Sequence, residues 1–201
     1  MNPDRNALRR ELRQRRRDIP AGERIAAAES LALQLLALPF VPAEGFVAGY
    51  WAMDGEIALH VWQLRLPPPL VYCLPVLAGD CLRFAPWRPG DALVTNRYGI
   101  PEPDVASASA LDARAMSLVV LPLVGFDASG QRLGMGGGWY DRSFAAARGN
   151  NAHDRHPAPP WLVGAGFAAQ QVDAIAAEAW DVGLDAVCTE RETLLIDGVP
   201  A

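Results

Sequence analysis

A glycine-rich segment with a charged residue near each end is the part of the sequence whose residue types point most directly to chemistry. It spans residues 132–142 and reads RLGMGGGWYDR. Glycine allows a backbone to adopt positive φ and to approach a ligand closely, so several amide N–H groups can converge on one anion. Arg132 offers a fork of donors that suits phosphate, and Asp141 stands where a carboxylate could hold Mg²⁺ beside it. The segment therefore predicts a phosphate-binding loop.

The segments on either side of this loop favour that interpretation over a simpler one, in which the glycines only form a tight turn. Residues 117–126 read SLVVLPLVGF, an apolar run typical of a buried strand. Residues 139–147 can begin a helix, and the dipole at a helix N-terminus favours a bound anion. The order strand, glycine loop and helix thus supports the prediction.

Two common nucleotide-binding motifs are excluded. The Walker A loop needs a Gly-Lys pair, and all 18 basic residues of this chain are arginine. The dinucleotide fingerprint needs a glycine three positions after its second glycine, and the two possible registers place Trp139 or Asp141 there. The prediction therefore concerns a phosphate loop of a different type.

Length and composition predict a single domain spanning residues 1–201. The 201 residues are 51% hydrophobic, which is enough to bury one good core. No apolar run reaches about 18 residues, so we expect neither a membrane span nor a secretory signal. Cys73, Cys81 and Cys188 are far apart, which suits reduced thiols in the cytoplasm and forms no metal cluster.

Positive charge is concentrated at the N-terminal end of the chain. The formal net charge is −5, but residues 1–17 contain seven arginines against Asp4 and Glu11. A basic helix of this kind could bind nucleic acid. We favour an exposed helix face for most of these side chains. Arg5 and Arg9 differ, because positions i and i+4 share one helix face and can act together on a polyphosphate.

Hydrophobic patterns place these candidates on alternating helices and strands. Helices are predicted over residues 3–17, 21–38, 56–66, 139–147 and 170–179. Strands are predicted over residues 45–51, 70–75, 82–85, 117–126, 162–167 and 186–189. Loops are predicted at residues 101–110 and 149–160. The alternation predicts an α/β fold, a single three-layer domain with a mostly parallel central sheet flanked by helices.

Residues 121–142, LPLVGFDASGQRLGMGGGWYDR, resemble the signature of the 5-formyltetrahydrofolate cyclo-ligase family, also called 5,10-methenyltetrahydrofolate synthetases. Other segments resemble the family in the same order along the chain. They are Arg5 with Leu8 and Arg9, residues 50–57, residues 98–103, residues 166–170, and Asp181, Asp185, Thr189 and Glu190. The resemblance therefore covers nearly the whole chain.

The resemblance implies an ATP-dependent ring closure, in which 5-formyltetrahydrofolate and MgATP give 5,10-methenyltetrahydrofolate, ADP and phosphate. A formyl oxygen is a poor leaving group, so it first receives the γ-phosphoryl group; N10 then attacks the activated carbon and phosphate departs. Phosphoryl transfer of this kind depends on positioning and charge neutralisation, which arginines, backbone amides and Mg²⁺ can supply.

The resemblance also assigns roles to residues. Contacts to ATP are expected from Arg5, Arg9, Arg132, Gly134, Met135, Gly136, Gly137, Gly138, Trp139 and Tyr140. The expected Mg²⁺ ligands are Asp141 and Asp181. Contacts to the folate are expected from Trp51, Met53, Glu56, Gly137 and Trp139. Glu56 suits a pterin edge that presents N–H donors, and flat apolar side chains suit its rings.

Four positions depart from the family pattern. Arg5 replaces the usual lysine, which keeps the charge but not the compact ammonium geometry. Trp139 replaces a tyrosine and so removes a hydroxyl group. Trp180 precedes Asp181 where histidine is frequent, and Gly137 stands where some members carry lysine.

Two alternatives stay open at this point. A paralogue could use the same ATP loop on another formyl or amide substrate, and the basic N-terminal helix could bind nucleic acid. No aromatic residues are interleaved with those arginines, which counts against nucleic acid. His60, His153 and His156 lie beside no nucleophile motif, so we expect no catalytic role for them. We therefore expect small-molecule ligands, no membrane partner, and a monomer rather than an oligomer.

Overall fold

The computed structural model describes residues 4–148, 158–196 and 199, so His153 and His156 of the predicted loop lie outside it. Its α-helices are α1 (Arg5–Arg17), α2 (Ala21–Leu36), α3 (His60–Arg65) and α4 (Trp139–Arg148). Its strands are β1 (Gly45–Ala48), β2 (Leu70–Ala78), β3 (Cys81–Pro86), β4 (Leu93–Thr95), β5 (Pro101–Pro103), β6 (Met116–Pro122), β7 (Gly125–Phe126), β8 (Arg132–Leu133), β9 (Trp161–Ala165), β10 (Ala186–Cys188) and β11 (Thr193–Leu195). Among the described residues, no helix has the length and apolar character needed to cross a bilayer.

Seven strands form the central sheet, in the order β11-β10-β9-β6-β1-β2-β3. The five inner strands pair in parallel, whereas β3 and β11 pair antiparallel at the two edges. In this register Val47 of β1 lies between Tyr72 of β2 and Leu118 of β6. Two short antiparallel ladders, β4 with β5 and β7 with β8, lie outside the sheet. The predicted α/β fold with a mostly parallel sheet is confirmed.

Both faces of the sheet are covered, because alternate residues of its strands point to opposite sides. Leu118 and Val120 of β6 share a buried cluster with Leu31 of α2. Val119, between them, belongs to a second cluster that contains Phe144 of α4. The sheet is therefore the middle of three layers, with α2 on one side and α4 on the other.

Helix α1 packs against the segment that follows β6 and carries the candidate arginines. Asp4 caps this helix by accepting a hydrogen bond from the backbone N–H of Asn6 at 3.0 Å. Leu12 is fully buried in a cluster with Leu133, the last residue of β8. Gly125 permits this close packing, since a Cβ there would lie 2.4 Å from Cδ1 of Leu12. The arginines of α1 are thereby held beside the glycine loop.

The predicted helix over residues 170–179 is wrong. The chain makes a 3₁₀ turn at Ala168–Gln170 and then continues without regular structure. Its backbone donors are used by a neighbouring segment: the N–H of Val172 donates to the carbonyl of Phe126 at 2.9 Å, and that of Ile175 to Oδ2 of Asp127 at 2.8 Å. These bonds replace the i→i−4 bonds that a helix needs.

The predicted strand over residues 117–126 is interrupted. The carbonyl of Leu123 accepts hydrogen bonds from Nη1 of Arg16 at 3.2 Å and from Nε2 of Gln170 at 2.8 Å. Side chains thus take the place of ladder partners, and the chain resumes pairing only in β7. The split turns the segment out of the sheet and toward the glycine loop.

Other boundaries also differ from prediction: β1 ends at Ala48 rather than at Trp51, and β2 extends to Ala78. The helix predicted over residues 56–66 begins only at His60, because the side chain of Glu56 and the carbonyl of Ile57 are engaged in the preceding turn. The loop predicted over residues 101–110 contains β5, which pairs with β4.

Candidate active site

The glycine loop connects the β7–β8 ladder to the N-terminus of α4. Gly136 and Gly138 have φ values of +94° and +62°, so the loop uses the backbone freedom that glycine provides. The N–H of Arg142 donates to the carbonyl of Gly138 at 3.0 Å, which starts the helix immediately after the loop. The first N–H groups of a helix have no partners within it, and here they face the loop side. The predicted order of strand, loop and helix is therefore present.

Arg9 of α1 binds this loop directly. Its Nε donates to the carbonyl of Gly134 at 2.8 Å, and its Nη1 donates to Oδ1 of Asn6 at 2.8 Å. A Cβ at Gly136 would lie 3.6 Å from Cζ of the same guanidinium. Burial lowers the pKa of Arg9, and the nearby charge of Arg5 lowers it further. Of the predicted pair of arginines, Arg9 thus contacts the loop.

Arg5 pairs with Asp181. Its Nη1 and Nη2 both donate to Oδ2 of Asp181 at 3.1 Å, and Nη1 also donates to the carbonyl of Ala176 at 3.3 Å. The backbone N–H of Glu178 donates to the same Oδ2 at 3.0 Å. One carboxylate oxygen therefore receives three donors, and α1 is joined to the irregular segment that precedes β10.

Arg132 pairs with Asp141, a residue of the first turn of α4. Its Nη2 donates to Oδ1 of Asp141, and its Nη1 donates to the carbonyl of Val182. The N–H of Val182 completes a ring by donating to Oδ1 of Asp141 at 3.1 Å. Because Val182 follows Asp181 in sequence, this ring brings the two predicted metal ligands to one side of the loop.

These two carboxylates fit Mg²⁺ only as part of a larger set of ligands. Among the described residues, no group of three or more His, Cys, Asp or Glu side chains is arranged to hold a metal. Mg²⁺ commonly uses one or two carboxylates and completes its octahedron with waters and substrate phosphates. Asp141 and Asp181 could hold the ion in this way, beside a loop suited to phosphate.

The indole of Trp139 is surrounded by residues to which the sequence assigned no role. Tyr98 lies edge-on to it with ring centroids 5.8 Å apart. The guanidiniums of Arg97 and Arg142 lie 5.3 Å and 5.1 Å from its centroid. The turn between β4 and β5 carries Arg97 and Tyr98 to the loop. The resemblance of residues 98–103 to the family was the signal for Tyr98, and no signal marked Arg97.

Glu56 lies in the turn after β1, on the substrate side of the predicted site. Its Oε2 accepts a hydrogen bond from the N–H of Met53 at 3.0 Å, and its Oε1 lies 3.7 Å from Nη1 of Arg16. Burial raises the pKa of Glu56, while the Met53 hydrogen bond and the charge of Arg16 oppose that shift. The side chain is thus a largely buried carboxylate with spare acceptor capacity.

Asp54 in the same turn binds three arginines of α1. Arg13, Arg16 and Arg17 donate to its carboxylate, and Arg16 is fully buried. Burial alone would raise the pKa of Asp54, but hydrogen bonds from Arg13 and Arg17 lower it to about 2. The expectation of an exposed helix face is therefore wrong for Arg16, because a residue 38 positions away in sequence supplies its partner.

Tyr50 and Tyr140 are two phenols on either side of the predicted site, one after β1 and one at the start of α4. Burial raises the pKa of both phenols, and the charge of Glu56 raises both further. Tyr50 donates to the carbonyl of Ile57 at 2.6 Å. Helix α1 contacts both sides of this site, because Nε of Arg9 donates to the carbonyl of Gly134 and Nη1 of Arg16 lies 3.7 Å from Oε1 of Glu56.

The remaining predicted residues are Trp51, Met53 and Met135. Trp51 is half-buried and packs edge-on against Trp87 with centroids 5.7 Å apart. Met53 is partly exposed in the turn that holds Glu56, and Met135 is an exposed residue of the loop. Their contacts with a ligand remain predictions.

The chain is similar to proteins of one known family. The model of the 5-formyltetrahydrofolate cyclo-ligase family matches residues 1–190. The 5-formyltetrahydrofolate cyclo-ligase of Escherichia coli K12 is 35% identical over 184 residues, which cover 89% of this chain and 96% of the relative. The enzyme of the same name from Haemophilus influenzae is 32% identical over 90% of this chain and 94% of its own.

Two solved structures share the fold. The 5,10-methenyltetrahydrofolate synthetase of Aquifex aeolicus has a TM-score of 0.79 at 24% identity, covering 98% of this chain and 95% of that one. The synthetase of Mycoplasma pneumoniae has a TM-score of 0.67 at 21% identity, covering 94% and 99%. Together with the family match over residues 1–190, these findings show that the chain belongs to the 5-formyltetrahydrofolate cyclo-ligase family.

Proposed function

We propose that this protein converts 5-formyltetrahydrofolate into 5,10-methenyltetrahydrofolate, with MgATP as co-substrate and ADP and phosphate as products. The observation that carries the proposal is that helix α1 contacts both predicted half-sites. At one of them, Nε of Arg9 donates to the carbonyl of Gly134 in the glycine loop at 2.8 Å. At the other, Nη1 of Arg16 lies 3.7 Å from Oε1 of the buried Glu56. A phosphoryl donor and its acceptor could thus be held next to each other.

The proposed chemistry has two steps. The formyl oxygen attacks the γ-phosphorus of ATP, so a new P–O bond forms while the bond to the ADP oxygen breaks. N10 then attacks the activated formyl carbon and loses its proton, and the bond from that carbon to the phosphorylated oxygen breaks. The phosphate leaves with the proton that N10 gave up. Both steps move negative charge onto phosphate oxygens, so the main need is for fixed donors and cations around them.

The residues on the phosphate side suit that need. The backbone N–H groups of residues 134–140 and the guanidinium of Arg9 would bind phosphate oxygens. Asp141 and Asp181 would hold Mg²⁺, which neutralises phosphate charge when bound. The guanidiniums of Arg5 and Arg132 each pair with one of these carboxylates, so either arginine must turn from its aspartate to contact phosphate.

The residues on the folate side would recognise a flat ring with polar edges. Glu56 would accept hydrogen bonds from pterin N–H groups, because a buried carboxylate with a free acceptor site binds such donors strongly. Trp51, Met53 and Trp139 would line the ring faces, and Gly137 would let the loop backbone approach the ligand. The arginines around Trp139 leave its indole only partly exposed.

The test is to mix the purified protein with 5-formyltetrahydrofolate and MgATP and to follow methenyltetrahydrofolate by its absorbance. Product formation that requires both ATP and Mg²⁺ is expected. No product from folded protein would contradict the proposal. ATP turnover that appears only with another formyl or amide compound would identify a paralogue that acts on a different substrate.

The nucleic-acid alternative has less support from the N-terminal helix than its charge suggests. Arg13, Arg16 and Arg17 converge on Asp54, so three of the arginines already have an internal partner. Steeply salt-dependent binding to RNA or DNA without ATP turnover would favour this alternative. A cytoplasmic location stays part of the proposal, since Cys73, Cys81 and Cys188 are free thiols, as expected in a reducing compartment.

A further inference from the structure

We propose that Arg5 makes metal binding at Asp181 conditional on the nucleotide, so that this protein takes up a divalent cation only together with a polyphosphate. The inference rests on the proposed MgATP site and adds to it a residue that couples its two ligands. It assigns Arg5 two alternative partners, the carboxylate of Asp181 and a phosphate.

The geometry around Asp181 supports the first partnership. Oδ2 of Asp181 accepts hydrogen bonds from both terminal nitrogens of Arg5 at 3.1 Å and from the N–H of Glu178 at 3.0 Å. The Arg5 side chain is 23% exposed and that of Asp181 is 12% exposed, so solvent screens this ion pair only in part. A cation that approaches Asp181 therefore meets a carboxylate whose charge is already balanced.

The same pairing leaves Arg5 incompletely satisfied. Its Nε is buried and has no hydrogen-bond partner among the described residues. A guanidinium has five N–H donors in a fork that matches a phosphate group, which offers several acceptor oxygens. A phosphate beside the glycine loop can therefore compete with Asp181 for this side chain.

The guanidiniums near Asp181 and Asp141 also oppose the binding of a free cation. Asp141 is balanced by Arg132, as Asp181 is by Arg5, and Arg9 adds a further positive charge beside the loop. Glu178 also lies near Arg5, with its Oε1 3.6 Å from Nη1, so three carboxylates face three guanidiniums here. Free Mg²⁺ or Mn²⁺ thus finds no excess of negative charge and, among the described residues, no group of three acidic side chains arranged to hold it. A triphosphate changes both conditions, because it supplies oxygen ligands and attracts the guanidinium away from Asp181.

The consequence is a reciprocal coupling between cation and nucleotide. Loss of the Arg5 charge has two effects of opposite sign. It releases Asp181 for a free cation, and it removes a contact to the phosphate of the bound nucleotide. A residue with a merely structural role would weaken both kinds of binding together.

The test uses Mn²⁺ as a paramagnetic probe, followed by EPR, and the β,γ-imido analogue of ATP as a nucleotide that is not turned over. Arg5→Gln is compared with the wild type and with Arg10→Gln, a matched control. Arg10 is exposed on the same helix and makes no side-chain hydrogen bond or ion pair with a described residue. We expect Arg5→Gln to bind free Mn²⁺ at least about fivefold more tightly and the Mn²⁺–nucleotide complex at least about fivefold more weakly, the lower end of ordinary coupling.

A second substitution tests whether the gain in free Mn²⁺ binding arises at Asp181. Adding Asp181→Asn to Arg5→Gln should abolish the gain in free Mn²⁺ binding. The inference is overturned if Arg5→Gln binds free Mn²⁺ no better than Arg10→Gln, or if both binding constants change in the same direction. Failure of the wild type to bind the Mn²⁺–nucleotide complex at all would instead overturn the proposed function.

Discussion

The buried guanidinium of Arg16 lies between the two carboxylates of the turn that follows β1. Its Nη2 donates to Oδ2 of Asp54 at 2.9 Å, and its Nη1 lies 3.7 Å from Oε1 of Glu56. The same side chain donates to the carbonyl of Leu123, where the predicted strand is interrupted. One arginine of α1 therefore ties together the helix that carries Arg5 and Arg9 and the turn that carries Glu56.

Replacing Arg16 should cost far more stability than replacing its neighbour Arg17. Arg16→Met removes the hydrogen bonds that the buried guanidinium donates to the carboxylate and carbonyl of Asp54 and to the carbonyl of Leu123. It also takes the positive charge away from Glu56, so we expect a loss of about 3 kcal/mol in the free energy of unfolding. Arg17 pairs with the same Asp54, but its side chain is 48% exposed. Arg17→Met should therefore cost less than about 1 kcal/mol. Urea denaturation of both variants measures the difference, and equal losses would show that burial of Arg16 is not what matters.

Glu56→Gln should stabilise the fold at neutral pH while impairing use of the folate. Burial raises the pKa of Glu56 above its ordinary value of 4.5, so the folded protein binds that proton more tightly than the unfolded chain. The resulting decrease in the free energy of unfolding is absent below pH 4.5 and reaches its full size above the raised pKa. Wild-type stability should thus decline over this interval as pH rises, and the variant should decline less.

Glu56→Gln should change the KM for the folate and leave the KM for ATP almost unchanged, which would distinguish the folate side of the site from the ATP side. We expect the KM for 5-formyltetrahydrofolate to rise, because an amide accepts fewer hydrogen bonds and presents donors to the pterin edge. The KM for ATP should change little. Glu44→Gln serves as the control, since Glu44 is exposed and has no described side-chain contact. An unchanged folate KM with normal turnover would contradict the assignment of Glu56.

The sequence predicted the features that neighbouring residues determine and missed those that depend on contacts between residues far apart in the chain. The loop around Gly136 was readable because its residue types, its strand and its helix adjoin one another in sequence. The partnership of Arg16 with Asp54 was not, because nothing near either residue marks a contact 38 positions away. The failed helix over residues 170–179 has a similar cause, since the carboxylate of Asp127 takes a backbone donor that a local pattern assigns to the helix.

Asp141→Asn should abolish most turnover with only a moderate loss of stability. The amide keeps the size of the side chain and an oxygen that can accept from Val182, but it removes the charge proposed to hold Mg²⁺. We expect kcat to fall at least about 100-fold, since even outer-shell changes at metal sites cost 10- to 100-fold. Asp173→Asn is the control, because Asp173 is exposed and has no described side-chain contact. Turnover within a factor of about two of the control would remove Asp141 from the metal site.

Gly136→Ala should weaken ATP binding, whereas Gly134→Ala should be nearly neutral. At Gly136 the backbone has φ of +94°, which an alanine adopts only with strain. A Cβ there would also point toward the guanidinium of Arg9, 3.6 Å from its Cζ. At Gly134 φ is not positive and an added Cβ meets no atom within 4 Å.

Comparison of the two alanine variants therefore tests whether the positive φ at Gly136 affects ATP binding, or whether the loss of any loop glycine has the same effect. We expect Gly136→Ala to raise the KM for ATP about tenfold, which corresponds to the strain of roughly 1–2 kcal/mol expected for a side chain in this backbone conformation. The KM for the folate should change less, because the hydrogen bond and the ion pair of Glu56 are with Met53 and Arg16 and not with the loop. Steady-state kinetics with each substrate varied in turn measures both constants. If the two alanine variants raised the KM for ATP equally, the positive φ at Gly136 would have no part in holding the phosphates.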